Sequence, residues 1–345
     1  MELRLAFIGF GNVARSFARI LTTRARELFD EYGLRFKTIA IATGSHGCVT
    51  SNDEIDLIEA VKCVERGDPL TYLSGCESAD NSVAVLNQTS ADVMFETTPL
   101  DINSGEPAIA HIRTALARGI HVVTANKGPI AFGYSELKSL AVRHNVQFRF
   151  EGTVMDGTPI FNLVELCLPG ARVLGFSGVL NSTTNLILTG MQAGQSFEET
   201  LAEAQRRGIA EANADFDIDG WDAAVKAVAL ANVLMNAEAP PADVKRKGIR
   251  DISINDVEAA AASGNVIRLV ARAEQTTNEI GLVVRPELVP RASVFGSLVG
   301  TSNALVIKTD LMGETAVIEN DPGVEQTAYA LLSDLISVHK ASHHA

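Results

Sequence analysis

The sequence predicts an α/β protein with two domains, and three observations support this class. The first 150 residues alternate between short apolar runs and amphipathic stretches, the pattern of strands and helices that build a mostly parallel sheet. Beyond residue 155 the helices lengthen and the strands resemble antiparallel pairs, which predicts a second α/β domain with a mixed sheet. The length of 345 residues also exceeds the usual domain size of roughly 100 to 200 residues.

Alternating strands and helices are expected in the first domain. Each strand is apolar or only half polar, as strands covered on both faces of a sheet should be. The strands are predicted at 3–9, 36–43, 92–98, 121–126 and 147–154, and the helices at 12–29, 52–65, 106–118 and 133–144.

Helix and turn signals are also clear in the second domain. A capping box at 196–199 begins a helix that Gly208 ends. Further elements are an apolar helix over 219–237 that Pro240 and Pro241 end, strands at 265–274 and 280–289 joined by a polar turn at 275–278, and a closing helix over 323–340. We place the domains at 1–133 and 134–322, and expect the closing helix to pack back on the first.

Composition excludes several classes of partner. The net charge of −13, without any Lys/Arg-rich run, argues against nucleic-acid binding. The cysteines (Cys48, Cys63, Cys76 and Cys167) form no C-x-x-C pair, which fits a reducing compartment. The N-terminus does not resemble a signal peptide, and no run of 18 apolar residues occurs. We therefore expect a cytoplasmic protein without a membrane partner.

The first strand is followed directly by residues 9–14, GFGNVA, a G-x-G-x-x-A fingerprint that begins a helix. The first glycine permits the tight turn, and Gly11 lets a pyrophosphate approach the backbone at the helix N-terminus. The alternative is an ordinary glycine turn, but its place after the first strand favours a Rossmann-type dinucleotide-binding domain. We assign cofactor contacts to Phe10, Gly11, Asn12 and Val13.

The end of the second predicted strand bears on the choice of dinucleotide. An acidic residue there would bind the ribose 2′-hydroxyl of NAD, but the segment after the strand contains Thr43, Ser45 and His46 and no carboxylate. Ser45 or His46 is available to donate a hydrogen bond to a 2′-phosphate, although no arginine is present. This favours NADP and leaves NAD open.

Two later strand ends lie where ligands bind in open α/β sheets. Thr97, Thr98 and Pro99 follow one strand, and Lys127 follows the next. We expect the first three to border the nicotinamide ring and Lys127 to reach the substrate, the alternative for Lys127 being a solvated loop lysine.

Residues 210–226, AEANADFDIDGWDAAVK, are rich in carboxylates. Asp215, Asp217 and Asp219 match the beginning of an EF-hand loop, but Lys226 occupies its twelfth position, where calcium needs a bidentate glutamate. Asp222 and Lys226 are four residues apart on a predicted helix and face the same way, either as a surface ion pair or, given the apolar neighbours, as the lining of a cleft. We favour the cleft, and interpret Asp215 and Asp219 as solvated loop or capping residues.

With these motifs on view, the chain resembles the homoserine dehydrogenase family over nearly its whole length. The motifs GFGNVA, ETTP, HVVTANKGPIA, FEGTVMDGTPI, LNSTTN and the acidic segment occur in the family's order. The resemblance implies reversible interconversion of L-homoserine and L-aspartate 4-semialdehyde with NAD(P), in the pathway to threonine and methionine. It also implies a homodimer, with catalysis and dimerisation in the second domain.

The resemblance also implies roles for individual residues. Lys226 corresponds to the proposed catalytic lysine, and Lys127 to a lysine near nicotinamide and substrate. The substrate-binding acids correspond to Glu211, Asp217 and Asp222, and the turn near the substrate to Asn181, Thr183 and Asn185.

Two segments depart from the family pattern. The usual glycine-rich turn is replaced at 154–158, beside a monovalent cation site, such as one for sodium, built from Glu151, Val154 and nearby carbonyls, so retention of the cation is in question. The usual glycine-rich segment before the last helix is replaced at 321–326. We further expect a short form, without an ACT domain or a fused aspartokinase.

Hydride transfer to an aldehyde leaves charge on oxygen, which a cation beside it stabilises and a proton neutralises. Lys226 fits this role and Lys127 is able to share it. Two other functions remain open: a related dehydrogenase for another small hydroxy or amino acid, and a dinucleotide-binding sensor without catalysis. No cysteine lies in a setting that suggests an acyl-enzyme nucleophile.

Overall fold

The structure, a computed structural model, describes residues 2–276 and 279–343. The strands are β1 (Glu2–Ile8), β2 (Arg35–Ala42), β3 (Cys48–Thr50), β4 (Glu77–Ala79), β5 (Val93–Glu96), β6 (His121–Thr124), β7 (Phe148–Arg149), β8 (Val173–Val179), β9 (Lys245–Arg246), β10 (Asn265–Gln275), β11 (Ile280–Pro290), β12 (Asn303–Thr309) and β13 (Gly313–Glu319). The α-helices are α1 (Asn12–Thr23), α2 (Ala25–Tyr32), α3 (Leu57–Glu65), α4 (Ser82–Gln88), α5 (Ala108–Ala117), α6 (Lys127–Arg143), α7 (Ser182–Gln192), α8 (Phe197–Arg206), α9 (Asp215–Ile218), α10 (Trp221–Met235), α11 (Ile254–Ala262) and α12 (Val324–His343).

The chain divides into two units, each with its own sheet. The N-terminal unit comprises residues 1–159 and 323–345, and the central unit comprises 160–322. The boundary predicted between residues 133 and 134 differs from this division, because it falls inside α6, and residues 134–159 belong to the N-terminal unit. The change in sequence pattern near residue 155 lies closer to the observed division after residue 159 than the boundary predicted after residue 133.

The N-terminal unit contains a seven-stranded sheet in the order β4-β3-β2-β1-β5-β6-β7. The run β2-β1-β5-β6-β7 is parallel throughout. At the edge next to β2, the strands β3 and β4 are added in antiparallel pairs. The predicted Rossmann-type class is confirmed. Neither β3 nor β4 was predicted, and each is only three residues long.

Two predicted elements in this unit are shorter than expected. The strand at 147–154 is reduced to the two residues of β7, followed by a 3₁₀ turn at Glu151–Thr153. The helix at 12–29 is divided at Arg24 into α1 and α2. In both cases the apolar pattern continues past the end of the element, so the sequence shows burial but not the break.

Both faces of the N-terminal sheet are buried. On one face the rings of Phe7 and Phe95 stack with centroids 5.1 Å apart, within a core that also contains Phe17 of α1 and Leu331 of α12. A separate core on the other face includes Ile112 of α5. Burial of both faces explains why these strands are almost wholly apolar.

The central unit contains a six-stranded mixed sheet in the order β13-β12-β8-β10-β11-β9. All neighbours are antiparallel except β11 and β9, which confirms the mixed sheet that was predicted. The predicted turn at 275–278 lies partly outside the described residues. Within residues 2–276 and 279–343, no helix combines the length and apolar composition needed to cross a membrane.

Local signals set the helix ends around the central unit's acidic segment. Ser196 and Glu199 form the expected capping box of α8. The apolar helix α10 begins after Gly220 and ends at Asn236, which adopts a left-handed φ of 52°, before the prolines that were expected to end it. Because Asn tolerates this conformation, α10 stops without proline.

Candidate active site

The turn between β1 and α1 requires glycine at residue 9. Gly9 has φ of 90°, and a Cβ built on it would lie 2.6 Å from the carbonyl carbon of Thr97. Its amide donates to the Ala42 carbonyl at 2.9 Å, and its carbonyl accepts from the Thr97 hydroxyl at 2.9 Å. The turn is therefore tied to the ends of β2 and β5.

Helix α1 presents its N-terminus in a form suited to a pyrophosphate. Gly11 caps it in an extended conformation, and among the described residues no side chain accepts from its first amides. A Cβ on Gly11 would meet no atom within 4 Å, so space is open there. The free amides and the helix dipole together attract an anion.

Arg15 adds a cation that the sequence analysis missed. Its guanidinium donates to the Asn12 side chain at 2.6 Å, one turn from the start of α1. Among the described side chains, its Nε is one of the buried polar atoms without a hydrogen-bond partner. An orphaned buried donor beside a helix N-terminus fits a phosphate-bearing cofactor. Arginine four residues after Gly11 was the available sequence signal.

The predicted 2′-phosphate contacts lie in a tight turn after β2. The His46 amide donates to the Thr43 hydroxyl at 2.7 Å, and His46 Nδ1 lies 3.0 Å from the Asp68 carbonyl. Nδ1 must carry a proton to make that bond, so Nε2 of a neutral imidazole is an acceptor. His46 therefore directs its Nδ1 at the Asp68 carbonyl, whereas Ser45 is exposed.

The two later strand ends are joined by hydrogen bonds. The Asn126 side chain donates to the carbonyls of Thr98 and Pro99 at 3.0 and 3.4 Å, and accepts from the Gly128 amide at 2.9 Å as the N-cap of α6. Lys127 is the first residue of α6. The structure thus brings Thr97, Thr98, Pro99 and Lys127 to one edge of the sheet.

The central unit assembles a second cluster around Asn181, the N-cap of α7. Its amide nitrogen donates to Asp217 at 2.7 Å and to Asp222 at 2.9 Å. Lys226 Nζ lies 3.3 Å from Asp222 Oδ2 and donates to the Leu180 carbonyl at 2.7 Å. Only 8% of the Asp222 side chain and 16% of the Lys226 side chain are exposed, so this pair is shielded from bulk water.

Asp217 carries an unfavourable charge in this cluster. Burial and, next, repulsion by Asp222 raise its pKa, while hydrogen bonds from Asn181 and Thr183 and the charge of Lys226 act in the opposite direction. A cationic group bound beside Asp217 would stabilise its ionised form. An ammonium group placed there would also offset the repulsion between Asp217 and Asp222.

Other predicted residues lie outside these contacts. Glu211 is exposed on the segment before α9. Asp215 and Asp219 both pair with Arg250, and these bonds raise the pKa of its guanidinium. Asn185 donates to the carbonyls of Gly300 and Ser302. Its contacts hold a loop rather than the acidic cluster.

A family model described as homoserine dehydrogenase matches residues 159–336. An NAD(+)-dependent homoserine dehydrogenase from Pseudomonas canavaninivorans is 35% identical over 342 residues, which cover 99% of this chain and 97% of that relative. A homoserine dehydrogenase from Methanocaldococcus jannaschii is 37% identical over 339 residues, covering 98% and 99% of the two chains. The chain belongs to the homoserine dehydrogenase family.

Solved structures of the family agree with this fold. A homoserine dehydrogenase from Thiobacillus denitrificans superposes with a TM-score of 0.84 at 29% identity, covering 100% of this chain and 74% of that chain. A hyperthermophilic archaeal homoserine dehydrogenase in complex with NADPH gives a TM-score of 0.83 at 29% identity, with coverages of 99% and 98%. The prediction of an NAD(P)-dependent oxidoreductase acting on a CH–OH group is confirmed.

The segment that departs from the homoserine dehydrogenase pattern keeps a tight turn. Glu151 and Val154 are buried, and the Glu151 amide donates to Asp334 at 2.9 Å. Asp156 adopts a left-handed φ of 41° and accepts from the Thr327 hydroxyl at 2.5 Å. Asp is among the residues that tolerate this conformation, so the turn forms without glycine at residue 156.

Proposed function

We propose that this member of the homoserine dehydrogenase family interconverts L-homoserine and L-aspartate 4-semialdehyde, with Lys226 acting on the proton of the substrate oxygen. The observation that carries the proposal is the cluster of Asn181, Asp217, Asp222 and Lys226 in the central unit, in which Asn181 and Asp222 are buried and Asp217 and Lys226 half-buried. It combines carboxylates for an α-ammonium group with one cation for the reacting oxygen.

The nicotinamide, when bound, donates or accepts the hydride. Lys226 donates a proton to the oxygen during reduction and accepts one during oxidation, which contributes about 10²- to 10⁴-fold to the rate. Asp222, at 3.3 Å, and the Leu180 carbonyl, at 2.7 Å, hold the Lys226 ammonium in place. Lys127 is the alternative proton carrier.

Asp217 is the primary partner proposed for the substrate ammonium. Asn181 donates to it and to Asp222, which orients both carboxylates and lessens their repulsion. Glu211, exposed in the structure, is proposed as a second partner because of its family position. The substrate ammonium would then pair with two carboxylates of the acidic segment, those of Asp217 and Glu211.

The residues of the N-terminal unit fit a dinucleotide. The free amides at Gly11 and the orphaned Nε of Arg15 suit the pyrophosphate, with Phe10, Asn12, Val13 and Thr43 beside them. We favour NADP over NAD because the turn after β2 carries Ser45 and His46 and no acidic residue.

The cysteines support hydride transfer without an acyl-enzyme. Burial raises the pKa of the Cys48, Cys63 and Cys76 thiols. A higher pKa lowers the thiolate fraction, and the thiolate is the nucleophile. These three thiols are therefore poorly suited to a phosphorylating aspartate-semialdehyde dehydrogenase reaction.

Four further proposals follow from family membership. We infer a cytoplasmic homodimer in threonine and methionine biosynthesis, which sedimentation velocity would contradict by showing a monomer at micromolar concentration. We also infer a monovalent cation at the turn of Glu151 and Val154, where buried backbone and carboxylate oxygens suit a hard ion. Activity that is equal in sodium, potassium and tetramethylammonium salts would contradict the cation.

The main test follows NADPH and NADH absorbance with aspartate 4-semialdehyde. We expect turnover by the wild type, and a fall in kcat of about 10²- to 10⁴-fold in Lys226→Ala. Lys247→Ala is the matched control, because this lysine of the same unit is 64% exposed, and we expect wild-type kinetics. A folded wild type without turnover would overturn the function, whereas active Lys226→Ala would overturn only its role and direct attention to Lys127→Ala.

A further inference from the structure

Glu96 is a buried carboxylate at the end of an otherwise apolar strand. It is the last residue of β5, and its exposed fraction is 0%. Burying a carboxylate costs several kcal/mol unless hydrogen bonds and charges compensate. Without compensating contacts, glutamate at this position would make folding less favourable than an apolar residue would. The contacts of Glu96 therefore indicate its role.

The two carboxylate oxygens of Glu96 contact the two neighbouring strand ends. Oε1 accepts from the amide of Thr98 at 3.2 Å and from the Thr98 hydroxyl. The hydroxyl of Thr124, the last residue of β6, donates to the Glu96 backbone carbonyl at 2.9 Å and also lies 3.3 Å from Oε2. Glu96 therefore joins the loop at 97–99 to the end of β6 through its carboxylate and its backbone carbonyl.

The bond to Thr124 extends to the start of α6. The Thr124 hydroxyl accepts from the Asn126 amide at 3.0 Å, and the Asn126 side chain in turn donates to the Thr98 carbonyl at 3.0 Å. This closes a ring of hydrogen bonds from Glu96 through Thr124 and Asn126 back to Thr98. Such a ring of satisfied hydrogen bonds rigidifies the loop.

A histidine lies on the carboxylate as well. His111 of α5 is 3% exposed, its Nδ1 lies 3.6 Å from Glu96 Oε1, and its Nε2 lies 2.7 Å from the Ser82 hydroxyl. Ser82, Glu96 and His111 come from three separate elements. Ser82 thus orients the His111 ring beside the carboxylate, and His111 Nδ1, among the described buried atoms, has no hydrogen-bond partner.

We propose that Glu96 is a positioning residue that holds Thr97, Thr98 and Pro99 against the nicotinamide end of the bound cofactor. The inference rests on the proposed placement of that loop beside the nicotinamide. Glu96 does not touch the reacting atoms; it acts through Thr98 and, by way of Thr124, through the segment that begins α6. Loss of its charge leaves the adenosine half of the cofactor site intact.

The test compares two ligands by titration calorimetry: NADPH and 2′-phospho-ADP-ribose, which lacks the nicotinamide. In Glu96→Gln one oxygen becomes a donor and no longer accepts from threonine. We expect about a ten-fold weaker affinity for NADPH and an unchanged affinity for the fragment. Thr38→Val is the control, since this buried hydroxyl of the same sheet is among the described atoms without a partner, and both affinities should match those of wild type.

Equal loss of both ligands in Glu96→Gln would assign Glu96 to general folding, and unchanged NADPH affinity would overturn the proposal outright. If Glu96→Gln does not fold, Thr124→Val removes the second arm, and the same selective loss is expected. In kinetics, KM for NADPH should rise more than kcat falls. If the wild type shows no turnover, but Glu96→Gln still weakens binding of NADPH and not of the fragment, only the proposed function is contradicted.

Discussion

Single residues show how two carboxylates share a shielded site. Asp217 and Asp222 repel one another, and the Asn181 amide, which donates to both, lies between them. Lys226 supplies the compensating charge to Asp222. Burial and, next, the repulsion by Asp222 raise the pKa of Asp217 despite the opposing effects of Asn181, Thr183 and Lys226. Because the two carboxylates repel each other in the free protein, an ammonium ion bound beside them relieves that repulsion.

The raised pKa of Asp217 leads to a prediction about stability and pH. Because the folded-state pKa of Asp217 is raised, the folded state holds a proton more tightly than the unfolded chain, and stability is lost as pH rises through that pKa. Asp217→Asn removes the titrating charge. We expect its melting temperature to exceed that of wild type at pH 8 and to match it at pH 3.5 or below, measured by calorimetry across pH.

The same variant should bind substrate poorly, since a neutral amide accepts a hydrogen bond from an ammonium ion but cannot form an ion pair with it, and we expect KM for homoserine to rise about ten-fold. Asp251→Asn is the control: this side chain is 77% exposed, so its stability profile should follow that of wild type. A melting temperature of Asp217→Asn below wild type at pH 8 would mean that the charged form is favoured in the fold.

Elements show which features of the fold a sequence can predict. The sequence predicted β1, β2 and β5 within two residues at both ends, because their patterns are local. It predicted the start of α1 equally well, but not its C-terminal end. The three-residue strands β3 and β4 carry too few residues for a period to appear. β7 ends early because the chain forms a 3₁₀ turn from residue 151. The hydrogen bond from the Glu151 amide to Asp334 of α12 stabilises this turn.

The candidate site divides in the same way. Asp222 and Lys226 are four residues apart, so their spacing predicted that they face the same way on one helix, which is α10. Ser82, Glu96 and His111 meet only through the fold, and their assembly was not predicted. The available signal was a single acidic residue in the apolar run VMFE, which a strand buried on both faces does not otherwise carry.

The turn at 154–158 supports a prediction at the element scale. A Cβ on Gly157 would lie 2.3 Å from the carbonyl oxygen of Gln326, so this turn and the start of α12 approach too closely for alanine. We expect Gly157→Ala to cost about 1 to 3 kcal/mol of unfolding free energy, measured by urea denaturation. Gly281→Ala, whose Cβ would meet nothing nearer than 4.0 Å, should change it by less than about 0.5 kcal/mol. Equal costs would show that the close approach is absent in solution.

At the scale of the whole molecule, chemistry is divided between two units. The N-terminal unit carries the glycine turn, Arg15 and the Glu96 ring of hydrogen bonds, and the central unit carries the cluster around Asn181. Each unit has its own sheet and its own core. Cofactor binding can therefore be measured through the stability of the protein even when no substrate is present.

The choice of dinucleotide can be tested in this way. A ligand at 100 times its Kd stabilises the folded state by about 2.7 kcal/mol, which corresponds to roughly 5 to 10 °C in melting temperature for a unit of this size. At equal concentrations we expect a larger increase with NADPH than with NADH, because no acidic residue after β2 repels the 2′-phosphate. The difference should narrow in Ser45→Ala, which loses an exposed hydroxyl donor. A larger increase with NADH would instead align this chain with the relative from Pseudomonas canavaninivorans, named as NAD(+)-dependent.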